Sequence, residues 1–179
     1  MLRKLILTAS MLLVVTLSAG VPAHAADHYL GGGVRWIRTV SDIRIDEIGD
    51  VDADGQSVVL SYVADPAGAF KFEFDVEYFE DGFGEFSGEI LSPQVLLLYG
   101  DNFYAGVGAG VNYIEDNLLG EDTSDIYYIG RLGLNLLLLP RVTLDINANY
   151  QTNSFDNAIN IVEIDTKTTK LGAILRFKF

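Results

Sequence analysis

The chain has 179 residues, no cysteine, 12 basic and 25 acidic residues, and a formal net charge of −13. Without cysteine, a disulfide-linked scaffold and a lipid-anchored lipoprotein are both excluded. The excess of acid argues against nucleic acid as a partner, because that binding depends on clustered Lys and Arg.

Residues 1–25 have the three parts of a secretory signal peptide. Two basic residues open the chain, an apolar run covers residues 5–17, and a small-x-small cleavage site ends at Ala25. The apolar run is too short to cross a bilayer, which needs about 20 residues. We therefore expect export and cleavage after Ala25, with an uncleaved anchor helix as the alternative.

Residues 26–179 are expected to form one domain. They hold 10 of the basic and all 25 acidic residues, so the net charge of this mature region is −15. Its length suits one domain rather than two. No second long apolar run follows the signal peptide. If this region crosses a membrane, it must do so as a closed barrel, because open sheet edges are not stable in hydrocarbon.

Period-two alternation of apolar and polar residues recurs along this region, separated by alternately long and short breaks. It predicts eight strands, at residues 28–39, 56–64, 69–79, 86–99, 103–113, 125–138, 142–152 and 166–179. Three tight turns and four longer connections join them. The pattern is typical of an all-β fold, an eight-stranded antiparallel up-and-down barrel.

The strand at 86–99 is the exception to this regularity. Residues 95–98 are all apolar and show no alternation, and Pro93 lies inside the strand. Since proline cannot donate a ladder hydrogen bond, we predict a β-bulge or a small register change there.

Alternation alone leaves open which face lines the interior. The apolar face points inward in a soluble lipocalin-like barrel and outward in a transmembrane barrel. Aromatic residues lie at both ends of the apolar faces, for example Phe103 and Tyr113. Ten steps of ~3.3 Å at a tilt of ~40° separate these two, a height of about 25 Å. This is the height of the apolar band of a membrane barrel, and it favours the transmembrane form.

The polar faces then line the lumen, and we predict that their charges form an internal ion network. The predicted members are Arg35, Lys71, Glu73, Asp75, Glu77, Arg131, Asp145, Lys170 and Arg176. Eight strands leave room only for side chains, and an unpaired buried ion costs several kcal/mol, so mutual pairing is expected. A conducting pore or an acid–base site is the alternative interpretation of these charges.

One acidic segment has the D-x-D-x-D-G spacing of a calcium loop. Its candidate ligands are Asp50, Asp52 and Asp54, followed by a glycine. The twelfth position is Ser61, so the bidentate carboxylate is missing. A loop without metal is therefore the favoured interpretation, and a weak Ca²⁺ site, of the millimolar affinity of extracellular modules, is the other. No other cofactor is expected.

The four long connections are acidic. Residues 42–54, 80–85, 115–125 and 153–165 together carry a net charge of −16, and the rest of the mature region carries +1. Acidic connections can lie beside phosphate-rich lipopolysaccharide chiefly if divalent cations bridge the two negatively charged groups. We therefore hypothesise surface ion contacts at this end of the barrel.

Histidine-based hydrolysis is not expected. The chain has two histidines, one in the signal peptide and His28 at the start of the first strand. Serine-type lipases and acyltransferases need a histidine base beside the nucleophile. His28 is predicted to be a rim residue, and the protein is predicted not to be an enzyme.

The final strand has a recognisable pattern. Leu171, Ala173, Leu175, Phe177 and Phe179 share one face, and the other face is largely cationic or glycine. In this respect, and over nearly the whole mature length, the chain resembles the small eight-stranded outer-membrane barrels of the OmpA and OmpX type. Members of that family end in polar-x-Gly-x-x-hydrophobic-x-aromatic, a signal read by the barrel assembly machinery.

Phe179 matches the final aromatic position of that signal and Phe177 the hydrophobic one. Ile174 replaces the expected glycine, and Gly172 stands two positions early. The resemblance implies the outer membrane of a Gram-negative cell as the location, the assembly machinery as a partner through the strand ending at Phe179, and lipid and lipopolysaccharide as surroundings.

The family's activities are too diverse to transfer. We expect a monomer with a structural or interaction role, such as membrane integrity, adhesion or a surface antigen with acidic extracellular loops. A narrow porin-like channel or carrier for small solutes is the alternative. An enzyme that modifies lipid is a third, less favoured reading.

Overall fold

The computed structural model describes residues 26–39, 44–45, 49–50, 55–66, 68–80, 88–116, 120–123, 126–152 and 168–179. The predicted signal peptide at 1–25 lies outside these described residues. Within them, no helix is long and apolar enough to cross a membrane.

The described residues form strands of unequal length. They are β1 (Asp27–Thr39), β2 (Arg44–Ile45), β3 (Gly49–Asp50), β4 (Gly55–Asp65), β5 (Phe70–Phe79), β6 (Gly88–Gly100), β7 (Phe103–Gly110), β8 (Tyr113–Asp116), β9 (Gly120–Thr123), β10 (Tyr127–Leu139), β11 (Val142–Thr152) and β12 (Thr168–Lys178). Strands β2 and β3 pair only with each other.

Eight of these strands form the barrel wall, in the order β5, β4, β1, β12, β11, β10, β7, β6, and β6 pairs with β5 to close the ring. Every pairing is antiparallel, and each strand except the first and last pairs with its chain neighbours in the wall. This confirms the predicted eight-stranded up-and-down barrel. Strand β8 prolongs β7 along β6, and β9 pairs with β8 beyond the ring.

The connections define the two ends of the barrel. The strand ends that face the short breaks between β4 and β5, β6 and β7, and β10 and β11 lie at one end, which we call the turn end. The opposite strand ends lie at the other, the loop end. Gly100 has a φ of 113°, a left-handed conformation that L side chains rarely adopt. Glycine at this position therefore permits the two-residue turn between β6 and β7.

The bulge predicted near Pro93 is wrong. Strand β6 keeps one continuous register with β5, in which Pro93 lies opposite Val76. On its other side β6 keeps the same register with β7 and then β8, with the carbonyl of Pro93 accepting a hydrogen bond from Val111 N at 3.3 Å. Proline has no N–H to donate, so the partner strand is interrupted between β7 and β8, but its register with β6 does not shift.

The register shift lies elsewhere, in the run of four leucines at residues 136–139 of β10. Between β10 and β11 it falls between Leu137 and Leu139, one residue from the turn. A bulge there adds one residue to β10 at the turn end.

Apolar side chains cover the outside of the barrel and charged side chains fill the inside. Phe103, Val107 and Leu132 are each more than half exposed, whereas Glu73 and Asp145 are 0% exposed. This arrangement is the reverse of a lipocalin. The lipocalin alternative is therefore wrong, and the outward face is that of a membrane barrel.

Aromatic side chains ring the outer surface at both ends. At the turn end, Phe70 and Tyr99 stand opposite each other on β5 and β6, with ring centroids 5.1 Å apart. At the loop end, Trp36, Tyr128 and Tyr150 are exposed on the outer surface. Rings of this kind mark the two interfaces of the apolar band.

The missing alternation in β6 has a packing cause. Leu96 and Leu98 point inward against Gly108 and Gly106 on β7, where a Cβ atom would collide with them. The glycines make room for leucine in an otherwise polar lumen. The result is one small apolar cluster, which consists of Leu96, Leu98, Tyr104, Tyr127 and Ile129.

Candidate functional site: the luminal ion network

Three carboxylates on β5 supply most of the negative charge of the luminal site. Glu73, Asp75 and Glu77 stand at every second position, so all three project from the same face of the strand. That face is the inner one, because Phe72, Phe74 and the other intervening residues face outward. None of the three carboxylates is more than 1% exposed.

Asp75 is the central member of the site. Its Oδ2 accepts a hydrogen bond from Arg131 Nη2 at 2.9 Å and another from Arg35 Nη2. Arg131 comes from β10 and Arg35 from β1, three strands away around the ring, so one carboxylate oxygen of β5 joins three separate strands. Charge-assisted contacts of this kind are the stronger class of hydrogen bond.

Towards the turn end, Glu73 contacts Arg131 and Arg176, and it shares Arg176 with Asp145. Glu73 lies 2.7 Å from Arg131 Nη1 and also accepts from Arg176 Nη2. Arg176 Nη1 then donates to Asp145 Oδ2 at 3.1 Å. The Tyr104 hydroxyl donates to the same Asp145 oxygen at 2.5 Å, so a neutral group completes this end.

Towards the loop end, Glu77 accepts from four side chains. Lys170 Nζ lies at 2.9 Å, Gln94 Nε2 at 2.7 Å and Arg35 Nη1 at 3.2 Å from Oε2. The Ser57 hydroxyl donates to Oε1 at 2.5 Å. Four donors on one carboxylate favour its ionised form and hold it in one place.

Lys170 ends the network at the loop end. Besides its bond to Glu77, its ammonium lies 4.8 Å from the centroid of the Phe79 ring, within cation–π distance. The lysine is 5% exposed and Phe79 is 4% exposed. The aromatic ring therefore covers the last cation of the lumen.

These contacts form one unbroken series in which positive and negative groups alternate. In order from the turn end, this ion-pair chain consists of Asp145, Arg176, Glu73, Arg131, Asp75, Arg35, Glu77 and Lys170. It holds four cations and four anions, so its formal charge is zero. All eight residues are 5% exposed or less.

Lys71, the ninth predicted member of the network, lies outside the ion-pair chain. Its ammonium is 3.4 Å from Asp65 Oδ2 and 3.3 Å from Asp101 Oδ1, at the rim of the turn end. The alternation predicted its face correctly, but Lys71 is the second residue of β5 and lies too close to the turn to reach the buried carboxylates.

Several neutral partners of the network were not predicted. Asn149 accepts from Arg131 Nε and donates to Asn147 Oδ1 at 2.7 Å, and Asn147 donates in turn to Asp145. The Ser61 hydroxyl donates to Glu73 Oε1 at 2.8 Å. Their positions in the sequence could have indicated them, because each lies on the inward face of its strand near a predicted charged residue.

The candidate calcium loop is largely outside the described residues. Asp52 and Asp54 lie there, and only the backbone of Asp50 is described, at the end of β3. In the ranges that the structure describes, no three His, Cys, Asp or Glu side chains are grouped closely enough to hold a metal ion.

His28 lies at the turn end, on the outer edge of β1. Its Nδ1 is 2.9 Å from the Tyr62 hydroxyl, and its ring stacks between Tyr62 and Phe179, with both centroid distances 6.0 Å. The histidine is thus far from the ion-pair chain and contacts aromatic side chains, as a rim residue does.

The fold is that of a small eight-stranded outer-membrane barrel. Three solved structures share it: Neisserial surface protein A, the N-terminal β-barrel domain of Pseudomonas aeruginosa OprF, and Ail, the attachment invasion locus protein of Yersinia pestis, solved with the heparin analogue sucrose octasulfate. The likeness confirms the resemblance in fold that the terminal strand indicated.

The sequences have diverged widely from these structures. Neisserial surface protein A is 17% identical with a TM-score of 0.57, and covers 86% of this chain and 99% of its own. The OprF domain is 12% identical (TM-score 0.51; 86% and 98% covered), and Ail is 13% identical (TM-score 0.50; 86% and 97% covered). No protein-family model matches the chain. No curated protein matches it either.

Proposed function

We propose that this protein is an integral outer-membrane barrel with a closed lumen and a structural and interaction role at the cell surface. The observation that supports this most directly is the ion-pair chain, which crosses the lumen without a break and has no net charge. A permeant ion would have to separate these pairs. Each unpaired buried charge costs several kcal/mol, so the closed state is strongly favoured.

Single-channel recording tests the closed lumen. The refolded barrel, reconstituted in planar bilayers, is expected to show no steady openings between −100 and +100 mV, on the order of physiological potentials. Steady conductance at these voltages would favour the narrow porin instead. A larger unrelated porin in the same bilayers verifies that insertion is detected.

The proposed location rests on the sequence of residues 1–25, on the outward apolar face and on the fold. Cell fractionation is expected to recover the protein with the outer membrane, with the N-terminus of the mature chain at Ala26. Unboiled samples are expected to migrate faster on gels than boiled ones, because closed barrels resist detergent at room temperature. Recovery as a folded soluble protein without detergent would contradict the proposal.

The proposed contact with the assembly machinery involves the last residue. Phe179 N donates to the carbonyl of His28 at 3.0 Å, so the end of the chain joins the first strand as the barrel closes. The Phe179 ring is 72% exposed, so it is accessible on the outer surface. Deleting Phe179 is expected to lower the fraction of assembled barrel in cells, whereas the Leu139→Ala substitution at the same end serves as a control.

Acidic residues at the loop end support surface ion contacts. Glu89, Glu115 and Glu121 occupy directly opposite register positions on β6, β8 and β9. The four long connections together carry a formal net charge of −16, and divalent cations screen the repulsion between like charges. We propose that such cations also bridge the acidic connections to lipopolysaccharide phosphate.

An enzymatic role is not proposed. The single histidine of the mature region, His28, contacts Tyr62 at the turn end, at the opposite end from the long connections. The protein is proposed to act as a monomer. Cross-linking in intact cells, with a known trimeric porin as the positive control, tests that state.

A further inference from the structure

A cavity opens at the turn end of the barrel, below the ion-pair chain. Its volume is about 260 Å³. Arg176 forms its floor, and its guanidinium is already bound to Asp145 and Glu73. We call this space the turn-end cavity. The ion pairs of Arg176 with Asp145 and Glu73 form its inner boundary, and the rest of the ion-pair chain lies beyond it.

The turn-end cavity contains one cation whose partners are unusually distant. Lys71 Nζ lies 3.3 Å from Asp101 and 3.4 Å from Asp65, beyond the usual length of a charge-assisted hydrogen bond. An ammonium has three donors, and the Lys71 side chain is only 13% exposed. A nearly buried ammonium with such loose contacts can accept a further anionic oxygen.

The two aspartates beside Lys71 differ in a way that suits a ligand. The Asp65 side chain is 15% exposed, but that of Asp101 is 82% exposed. An exposed ion pair contributes little free energy, so a ligand carboxylate can replace Asp101 at Lys71 at low cost. Asp101 stays nearby, because Asn135 Nδ2 donates to its backbone carbonyl at 2.9 Å.

The cavity wall also has an apolar part. Val63 and Leu98 are buried in it, and Leu137 lines it while remaining 72% exposed. Leu137 continues the inward-facing series that includes Arg131 and Asn135, so its side chain lies at the cavity instead of the outer apolar surface. An exposed leucine on the inner side of a polar barrel is available to an apolar group of a ligand.

We propose that the turn-end cavity binds a small α-amino acid with an apolar side chain. Its carboxylate contacts Lys71, its ammonium contacts Asp101, and its side chain packs on Leu137. The two charged groups of an α-amino acid are attached to one carbon, so one such ligand can contact both Lys71 and Asp101, whose charged atoms lie 3.3 Å apart. The charges of the ligand and of the pair cancel, so binding leaves no unpaired ion in the cavity. This inference does not depend on whether the lumen conducts.

Calorimetry on the refolded mature barrel in micelles tests the proposal with four probes. L-Leucine has both charges and the apolar group, glycine lacks the side chain, isocaproate lacks the ammonium, and isoamylamine lacks the carboxylate. L-Leucine is expected to bind with a dissociation constant on the order of 1 mM. Each of the other three is expected to bind at least about tenfold more weakly, the cost of losing one charge-assisted or apolar contact.

Two variants distinguish this cavity from other sites. Lys71→Met is expected to weaken L-leucine binding by about tenfold or more. Lys178→Met is the matched control, because Lys178 pairs with Asp27 at the same end without lining the cavity, and it is expected to leave binding unchanged. Folding of each variant is verified by its gel mobility before boiling.

Three results would overturn the assignment. These are the absence of saturable L-leucine binding to folded protein, equal binding by Lys71→Met and the unaltered protein, and equal binding of isoamylamine or isocaproate. Either of the first two results would show that the turn-end cavity is not an L-leucine site. The third would show that the cavity does not recognise a zwitterion.

Discussion

The substitution Asp75→Asn removes one charge from the middle of the ion-pair chain while preserving side-chain shape. Asp75 Oδ2 accepts from both Arg35 and Arg131, so two buried guanidiniums lose a carboxylate at once. Each keeps one other carboxylate, Glu77 for Arg35 and Glu73 for Arg131. The formal charge of the chain rises from zero to +1.

The expected cost follows from these contacts. Breaking a buried ion pair by removing one partner costs about 3–5 kcal/mol. The amide oxygen of asparagine still accepts a hydrogen bond, which returns about 1 kcal/mol. We therefore expect Asp75→Asn to lower the free energy of unfolding by about 2–4 kcal/mol.

Urea unfolding of the refolded barrel in micelles measures this difference. Trp36, the single tryptophan, lies on the outer surface and its fluorescence reports the loss of the apolar surroundings. Asp101→Asn is the matched control, because Asp101 is exposed and its loss is expected to cost about 0–1 kcal/mol. If Asp75→Asn were as mild as this control, the buried chain would contribute little, and the argument for a closed lumen would fail.

Three further outcomes are expected. Gly133→Ala places a Cβ against the ring of Tyr104 and is expected to lower the free energy of unfolding in urea by about 1–3 kcal/mol. Gly130→Ala, on the opposite face, has no atom within 4 Å of the new Cβ and is expected not to destabilise the barrel. Equal effects of the two substitutions would contradict the described packing. Leu132→Arg, in the middle of the outer face, is expected to lower the free energy of unfolding in bilayers by about 2–4 kcal/mol, and Leu139→Arg at the turn end by about 0–1 kcal/mol. A cost that does not depend on position would argue against a surrounding bilayer. Chelation of divalent cations should lower the thermal stability of the barrel in native outer membrane and release lipopolysaccharide from it; unchanged stability and association would refute the bridging role.

Strand number and the set of residues that share a face were readable from the sequence, because each depends on local alternation. Strand β5 is the clearest case, since Glu73, Asp75 and Glu77 had to share one face whatever the rest of the chain did. The height of a residue in the barrel was not readable. Lys71 shares that face, but only the assembled turns show that Asp65 and Asp101 reach it before any buried carboxylate does.

Strand β6 shows the same limit from another direction. Its unbroken apolar run suggested an irregular backbone, whereas its register is continuous. Leu96 and Leu98 tolerate an inward position because Gly108 and Gly106 stand beside them on the next strand. That compensation depends on which residues of two strands are neighbours, and such neighbours are known only once the register is known.

The sequence alone determined an acidic, eight-stranded barrel whose strands have an apolar and a polar face, because period and composition are local properties. The tertiary structure decides which charged residues pair along the series from Asp145 to Lys170, and these pairings leave the ion-pair chain with a formal charge of zero. Ion pairing across a barrel joins residues from five separate strands, and their distances are set by strand order and register, which no local pattern specifies.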